Sequence, residues 1–436
     1  MFAWLQRSVP FVGSALFRGT WPLRKENFDH LLSTGIEVTE GEQNDAWHWA
    51  LKLKHPEWGE ATLVNSRSVT PPPAVLIEWD ANLNRDEAEE IKSCGTMVQL
   101  MMDSKKNNIL RDRKNALQFL HAIIGEDGLA AMDHVGQKIW SRDALAIETA
   151  HAADLDVDGI MTYHVVSNEA HQIYWLHSHG LGEIGFYDFD VMNPSADLNG
   201  RAHDVLRSLA FRSLEGDLKP GGTVEPFSSV QVSCVAVEEF MSKAAPEYIA
   251  LRDDSNRDHR DKRVVLCDAK GGFLSSLFGA KPEPSKELSA PFDEQNLIQF
   301  SGEATELMSI RAKASFAFFV KLVEEMSEVS RQVAGFESTA AVKLGYKVDD
   351  AKDETDREHM WFEFHGMAGE QIDATLLNEP FHIAGMSAGQ RSLHSVDLLT
   401  EWCIFTPVGK ISHTNSRPLR YIRKNREELR EALAKA

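Results

Sequence analysis

The sequence predicts an α+β protein with an N-terminal mixed α/β-sandwich-like domain and a smaller C-terminal domain in which a helix packs on an antiparallel sheet. Short stretches of alternating apolar and polar residues, typical of half-buried strands, are interspersed with stretches of helical periodicity. The 436 residues are enough for more than one hydrophobic core. Residues 279–291, rich in Pro, Ala, Lys, Glu and Ser, have the composition of a linker. We therefore predict domains at 1–278 and 300–436, joined by a linker at 279–299.

Strands and helices are mixed along the N-terminal part. Alternation and short apolar runs predict strands at 47–54, 61–65, 74–79, 97–102, 130–140, 160–166, 171–177, 186–192, 223–237 and 263–268. Helical periodicity and Ala-rich composition predict helices at 84–94, 111–124, 142–153 and 200–214. The first of these helices starts at Asn84 with Glu87 three residues later, which is the pattern of a capping box, and Gly95 is expected to stop it. Residues 160–166 and 171–177 are expected to form a hairpin.

The C-terminal part is organised around the segment Glu358-His359-Met360-Trp361. Residues 359–364 alternate between two faces and predict a strand, which a Gly-bounded loop connects to a second strand at 372–377. Pro380 ends this hairpin because proline cannot donate a hydrogen bond to a neighbouring strand. Residues 398–407, which include Trp402, are predicted to return as a further strand.

Residues 302–405 resemble the YegJ-like bacterial domain of unknown function 2314. The resemblance rests on a helix at 306–319, a strand at 341–347, and the segments Glu358-His-Met-Trp361, Leu377-Asn-Glu-Pro380 and Glu401-Trp402. Glu401 stands where the family usually has Asp, and Gly389-Gln390 stands where it has Gly-Asp. The resemblance to this family implies a fold but no activity.

A second resemblance covers part of the N-terminal domain. Residues 175–190 are similar to the bacterial domain of unknown function 4026, in which a Trp-Leu-x-x-x-Gly-Leu turn precedes an acidic strand. Members of this family tend to precede the YegJ-like domain in one chain, and the order here is similar. The resemblance implies structure rather than catalysis.

The net charge of −20 argues against nucleic acid as a partner, because phosphate contacts require a basic face. No apolar run approaches the roughly 20 residues of a membrane-spanning helix, so we expect no membrane partner. Residues 1–21 are mildly apolar, but Arg7 and Pro10 interrupt them and no basic region precedes them, so a signal peptide is not expected. An interfacial membrane helix is the alternative for this segment.

The four cysteines, Cys94, Cys234, Cys267 and Cys403, lie far apart in the sequence. The absence of a C-x-x-C motif excludes the usual zinc ribbon and thioredoxin-like patterns. Widely spaced cysteines in a chain of this size are expected to be reduced thiols, which favours a cytoplasmic protein.

Two histidines and two aspartates form the strongest candidate for a metal site. His177 and His179 share one face of a strand, and so do Asp188 and Asp190. Zinc or iron would accept these ligands if the two strands paired. We nevertheless expect no metal and no other cofactor, because only two imidazoles are close in sequence and the strand is expected to end near His179. The alternative is a metal-dependent enzyme that uses these four residues.

Asp154, Asp156 and Asp158 begin like a calcium-binding EF-hand loop, with Gly159 at its sixth position. Position twelve is Val165, where a bidentate Glu would be needed. A turn at the end of a helix explains the acidic residues equally well, so calcium binding stays open.

The expected function is that of a non-enzymatic protein-interaction or accessory module, for example in stress or defence, with another protein as partner. No phosphate-binding loop, nucleophile elbow or zinc-protease motif occurs in the sequence. The C-terminal tail is basic and either binds a partner or packs against acidic residues of the protein itself. Trp361 and Trp402 are also candidates for core packing. The candidate interaction residues are Trp361, Asn378, Pro380, Trp402, Arg417, Arg420 and Arg423.

Overall fold

The computed structural model describes most of the chain as two compact units. The described residues are 8–19, 24–42, 44–68, 70–168, 173–194, 202–227, 230–251, 262–269, 281–289, 302–352 and 356–434. The first unit comprises Met1–Pro71, Gly95–Ile139 and Val157–Ser301. The second comprises Pro72–Cys94, Trp140–Asp156 and Gly302–Ala436. Strands and helices are numbered below in order along the chain.

The first unit contains two sheets, the first of seven strands in the order β2-β3-β4-β5-β1-β6-β7. The strands are β1 Ser8–Arg18, β2 Glu37–Glu40, β3 Trp47–His55, β4 Gly59–Ser66, β5 Cys94–Lys105, β6 Gly128–Asp133 and β7 Lys138–Ser141. Helix α3, Ile109–Ile124, packs against β1 and β6, and 3-10 helices occupy Lys25–Thr34 and Lys106–Asn108. Residues 8–18 of the apolar N-terminal segment therefore form a strand, while residues 1–7 and 20–21 lie outside the described residues.

The second sheet of this unit has six strands in the order β11-β12-β13-β10-β9-β8. They are β8 Thr162–Asn168, β9 Ile173–His179, β10 Asp188–Met192, β11 Thr223–Phe227, β12 Val230–Ala236 and β13 Arg263–Asp268. Strands β10 and β13 are parallel, and the other neighbours are antiparallel. The helices are α5 Ala202–Glu215, α6 Val237–Lys243, α7 Pro246–Leu251 and α8 Lys286–Ser289, with a 3-10 turn at Val157–Gly159. Trp175, Phe240 and Leu251 belong to the core under one face of the sheet.

The second unit contains an antiparallel sheet in the order β17-β16-β15-β14-β18-β19. Its strands are β14 Thr339–Lys347, β15 Arg357–Ala368, β16 Gln371–Leu376, β17 Arg391–Ser395, β18 Leu399–Thr406 and β19 Gly409–Ser412. Its helices are α1 Ala74–Trp79, α2 Arg85–Ile91, α4 Arg142–Thr149, α9 Gly302–Ala314, α10 Phe316–Gln332, α11 Arg417–Lys424 and α12 Arg426–Leu433, with a 3-10 turn at Val396–Leu398. The apolar side of α10 packs on the sheet, and its Phe319 contacts Phe364 and Trp402.

Two buried ion pairs join the three chain segments of the second unit. Arg420 Nε lies 2.7 Å from Glu87 Oε1, and Arg311 Nη2 lies 2.6 Å from Glu148 Oε2. The Ser141 hydroxyl also donates to Glu87, over 2.7 Å. The residues 72–94 and 140–156 are therefore held to the C-terminal part by charge-assisted hydrogen bonds as well as by packing.

The α+β fold class is confirmed, but several local predictions are wrong. The predicted strands at 130–140 and 223–237 each correspond to two strands, β6 with β7 and β11 with β12. Residues 74–79 form helix α1 rather than a strand, because a six-residue apolar run does not distinguish the two by periodicity. The predicted helix at 306–319 is two helices that meet at Ser315. The capping box of α2 is present, but the helix ends at Ile91 and Gly95 lies in β5. A Cβ atom on Gly95 would lie 2.6 Å from the Gly19 carbonyl oxygen, so close backbone approach explains this glycine.

The predicted linker at 279–299 is described only at residues 281–289. There Pro284 forms a bridge with Cys267 of β13, and Leu288 of α8 is buried. The domain boundary at 279–299 stays a prediction. The division into units adds that two earlier segments, 72–94 and 140–156, accompany the C-terminal residues.

All four cysteines are described as thiols, and Cys234, Cys267 and Cys403 are buried. Burial raises the pKa of Cys234 to about 11 and that of Cys403 to about 12, so neither is a reactive thiolate near neutral pH. None of the described helices combines the length and the apolar character that crossing a membrane requires.

Candidate metal centre

Three histidines lie together on the outermost hairpin of the second sheet. The antiparallel pairing of β8 with β9 places His164 opposite His177 and Thr162 opposite His179. Side chains two apart on a strand, and side chains directly opposite on neighbouring strands, lie on the same face. The hairpin register therefore brings His164 to the side of the sheet that carries His177 and His179.

The three imidazoles form one compact cluster. One ring nitrogen of each lies within 4.8 Å of the corresponding atoms of the other two. The ring centroids are 4.8 Å apart for His177 and His179, 4.9 Å for His164 and His179, and 5.6 Å for His164 and His177. His177 and His179 are 2 % exposed, whereas His164 is half-buried. The cluster is thus largely shielded from solvent, with its more open side at the edge strand β8.

A tryptophan fixes the orientation of one ring. Trp175, two residues before His177 on the same face of β9, stacks on that imidazole with 3.9 Å between centroids and 26° between planes. Trp175 is itself 1 % exposed. A stacked and buried ring has little freedom to rotate, so His177 is held in place before any ligand binds.

The two aspartates predicted as ligands lie on the neighbouring strand but do not join the cluster. Asp190 pairs with His177 in the register of β9 and β10, and its Oδ1 accepts from Arg263 over 2.7 Å. Asp188 accepts from the Ser178 hydroxyl over 2.6 Å and from the Gly182 amide over 2.8 Å. Burial raises the pKa of Asp188, and the charge of Arg263 opposes this shift.

The prediction against a metal rested on a count of two imidazoles and on a strand that ends before His179. The third imidazole comes from His164, and β9 continues through His179. The nearest signal in the sequence was the alternation of β8, which gives His164 a defined face once the hairpin register is known. Neither argument against an ion therefore holds for the described residues.

Three imidazoles suit a divalent transition metal. Zinc binds histidine nitrogen at about 2.0–2.1 Å, which puts tetrahedral ligands about 3.4 Å from one another. The ring nitrogens, which all lie within 4.8 Å of one another, would have to move only moderately closer together to reach this geometry. Three histidines leave a fourth tetrahedral position for water or another ligand, the arrangement of catalytic rather than closed structural zinc sites.

The Asp154–Asp158 segment does not continue as a calcium-binding helix-loop-helix. Residues Val157–Gly159 form a 3-10 turn, and the chain then enters strand β8. The Asp158 carboxylate lies 3.9 Å from Arg207 Nε. The backbone carbonyl of Asp154 accepts from Arg311. The helix that would follow an EF-hand loop is replaced by a strand.

Two of the predicted interaction residues are buried in the second unit. Trp402 is 1 % exposed, and its Nε1 donates to the Ser315 hydroxyl over 2.9 Å. Arg420 is 3 % exposed and is paired with Glu87. Neither side chain is placed to contact a partner, because each is enclosed by its own unit.

The exposed basic residues of the tail pair largely with acidic groups of the second unit. Arg423 lies 2.7 Å from Glu325, and Lys424 lies 3.5 Å from Glu90. Arg417 is exposed at the start of α11. This charge pairing agrees with the interpretation in which the tail packs against acidic residues of the protein itself.

The remaining predicted interaction residues lie around the connection between β16 and β17. Trp361 is half-buried, with Lys343 Nζ 5.5 Å from its ring centroid, and Asn378 accepts from the Trp361 amide. Pro380 is half-buried and precedes Phe381, which is 80 % exposed. Phe381 was not among the predicted residues, although its place directly after the Asn-Glu-Pro corner could have indicated exposure.

The fold and the candidate site thus define an α+β protein. One unit carries a largely buried histidine cluster, and the other carries a loop with the exposed side chain of Phe381. Residues 304–414 match DUF2314, described as an uncharacterized protein conserved in bacteria, and residues 163–266 match the C-terminal model of DUF4026, a protein of unknown function. Both resemblances found in the sequence are confirmed. The three histidines lie within the second match. No curated protein and no solved structure matches the chain.

Proposed function

We propose that the protein binds a divalent transition-metal ion, with zinc preferred by ligand type, through His164, His177 and His179. The observation that carries this proposal is the convergence of the three ring nitrogens within 4.8 Å of one another. Two further features support it. The cluster contains imidazoles only, which are ligands that zinc and related metals accept, and Trp175 holds one of them in place.

Metal content of the purified protein tests the proposal. The full chain is purified without an affinity tag or added metal, and zinc, iron, nickel, copper and manganese are measured by elemental analysis. We expect about one ion per chain, lost in His164→Ala and in the double variant His177→Ala/His179→Ala, because two or fewer imidazoles hold a metal weakly. The control is His48→Ala, which removes an exposed histidine of β3.

Two results would contradict the proposal. One is a wild-type protein that holds no metal even after incubation with zinc. The other is a bound metal that the cluster variants retain as fully as the His48→Ala control does. Circular dichroism of each variant checks that the fold is unchanged.

A second function, the binding of another protein, is favoured by the loop that presents Phe381. The Glu358 carboxylate accepts from the amides of Phe381 and His382, each over 2.8 Å. The Asp349 carboxylate accepts from the Ala384 amide over 2.7 Å. A loop held by its own side chains displays an exposed aromatic ring without the entropic cost of ordering it on binding.

The chemistry around this loop indicates the kind of partner. Among the described residues 349–352 and 356–358, four are acidic, counting Asp349 and Glu358, and two are basic. An aromatic side chain on a rigid loop is a typical anchor of protein interfaces. The partner is therefore expected to offer an apolar pocket surrounded by Lys and Arg.

Affinity purification from the producing cells, with the full chain as bait, tests this second function. We expect Phe381→Asp to lose a partner that the wild type retains, because a charged side chain cannot enter an apolar pocket. Leu393→Asp is the matched control, since Leu393 is a 50 % exposed apolar residue on β17 of the same sheet. Equal recovery of every co-purifying protein with Phe381→Asp and with wild type would reject the Phe381 surface.

A further inference from the structure

We infer that Asp190 balances the charge of Arg263 beside the histidine cluster and thereby allows a divalent cation to bind there. Asp190 acts on the ion through Arg263, as a charge-balancing residue rather than as a ligand. The inference rests on the metal-binding function proposed above and deepens it, because it assigns a use to the acidic residue nearest to the cluster.

The contacts place the Arg263 guanidinium against the backbone of β9, the strand that carries His177 and His179. Its Nη2 donates to the Ser178 carbonyl over 2.7 Å, and Ser178 is the residue between His177 and His179. Its Nη1 donates to Asp190 Oδ1, also over 2.7 Å. The side chains of both Arg263 and Asp190 are 0 % exposed. A full positive charge therefore lies against the backbone of Ser178, the residue between the two histidines of β9, where it is shielded from solvent.

This positive charge opposes a metal ion at the cluster. Like charges repel strongly where water is excluded, because the effective dielectric constant is low. A divalent cation beside an uncompensated guanidinium would therefore bind poorly. The carboxylate of Asp190 makes the pair neutral overall. Asp190 lies opposite His177 and Arg263 lies opposite Asp188, so both charges are on the face of the sheet that carries the cluster.

Asp188 also lies within reach of the Arg263 charge, but its carboxylate is hydrogen-bonded elsewhere. Its carboxylate accepts from the Ser178 hydroxyl and from the Leu181 and Gly182 amides. These bonds fasten the turn that follows His179. Asp188 thus holds the end of β9, whereas Asp190 is the acid in direct contact with the guanidinium.

Zinc affinity of charge variants tests the inference. Apo-protein is titrated with zinc in competition with a chromophoric chelator, using full chains of wild type, Asp190→Asn, Arg263→Met and the double variant. Asp190→Asn keeps the shape of the side chain and loses its charge. We expect it to bind zinc about 10–100-fold more weakly than wild type, the range typical of residues around the ligands of a metal site.

The double variant Asp190→Asn/Arg263→Met distinguishes charge balance from a structural effect. It restores neutrality, so we expect zinc affinity to recover at least about tenfold relative to Asp190→Asn. If the pair only supported the fold, the double variant would bind as weakly as the single one. Glu148→Gln is the matched control, because it neutralises the carboxylate of a buried ion pair in the second unit and should leave zinc affinity unchanged.

The outcomes separate this inference from the proposed function. Wild type that binds no zinc overturns the proposed function. If wild type binds zinc, two results overturn the inference alone. One is a zinc affinity of Asp190→Asn equal to that of wild type, and the other is a double variant that binds zinc as weakly as Asp190→Asn. If Asp190→Asn does not fold, the zinc affinity of Arg263→Met is the deciding measurement. An affinity equal to or above that of wild type supports charge balance, and a tenfold loss of affinity contradicts it.

Discussion

Replacing Arg311 by Met is expected to lower the free energy of unfolding by about 3–5 kcal/mol, as the loss of one partner of a buried ion pair does. Arg311 makes hydrogen bonds to both oxygens of Glu148 and to the carbonyls of Asp154 and His413. Its removal leaves the Glu148 carboxylate buried without its cation. Chemical denaturation followed by circular dichroism measures the loss.

Two companion variants make the Arg311 experiment specific. The double variant Arg311→Met/Glu148→Leu removes both charges and should recover a large part of the loss, since an apolar pair of similar volume is tolerated. Arg391→Met breaks an exposed 2.6 Å pair with Asp373 and should cost far less than Arg311→Met, because solvent screens the pair. A loss for Arg311→Met as small as that for Arg391→Met would show that the buried pair does not hold residues 140–156 to the C-terminal part.

Replacing Trp402 by Ala is expected to cost about 3–5 kcal/mol of unfolding free energy, the usual cost of truncating a large buried aromatic residue. Trp402 lies in the core of the second unit, with its ring centroid 5.2 Å from that of Phe319. The truncation leaves a cavity and also removes the hydrogen bond to Ser315. Equilibrium denaturation is again the measurement.

Trp361→Ala provides the comparison for Trp402. Trp361 lies on β15 of the same sheet but is half-buried, so its truncation should cost clearly less. Equal losses for the two tryptophans would contradict the assignment of Trp402 to the core. A Trp402→Ala protein with unchanged stability would do so as well.

Much of the strand arrangement followed from alternation, and the exceptions have physical causes. The runs at 47–54 and 359–364 alternate clearly, and each lies within an observed strand, β3 and β15. Helix α1 is predicted as a strand because Val75, Leu76 and Trp79 are exposed apolar residues, and exposed apolar residues give a helix no amphipathic pattern. The union of residues 72–94 and 140–156 with the C-terminal part depends on pairs such as Arg420 and Glu87, which are 333 positions apart. No local pattern encodes such a contact.

The sequence predicts two of the three histidines of the cluster, and the third depends on the register of the hairpin between β8 and β9. Alternation alone places His177 and His179 on one face of β9. The predicted hairpin, with ends at 166 and 171, would have put His164 opposite Ile173. The observed pairing of Asn168 with Ile173 shifts β8 by four residues and puts His164 opposite His177. Hairpin register depends on the turn and on tertiary packing, which the alternation of a single strand does not determine.

The ligand shell of the bound ion is the most direct test of the metal centre. X-ray absorption at the zinc edge of the zinc-loaded full chain should give three imidazole nitrogens at about 2.0–2.1 Å, and His164→Ala should lose one of them or lose the ion. A shell of sulfur or of oxygen alone, or an imidazole count that is unchanged in His164→Ala, would contradict the assignment of His164, His177 and His179 as the site.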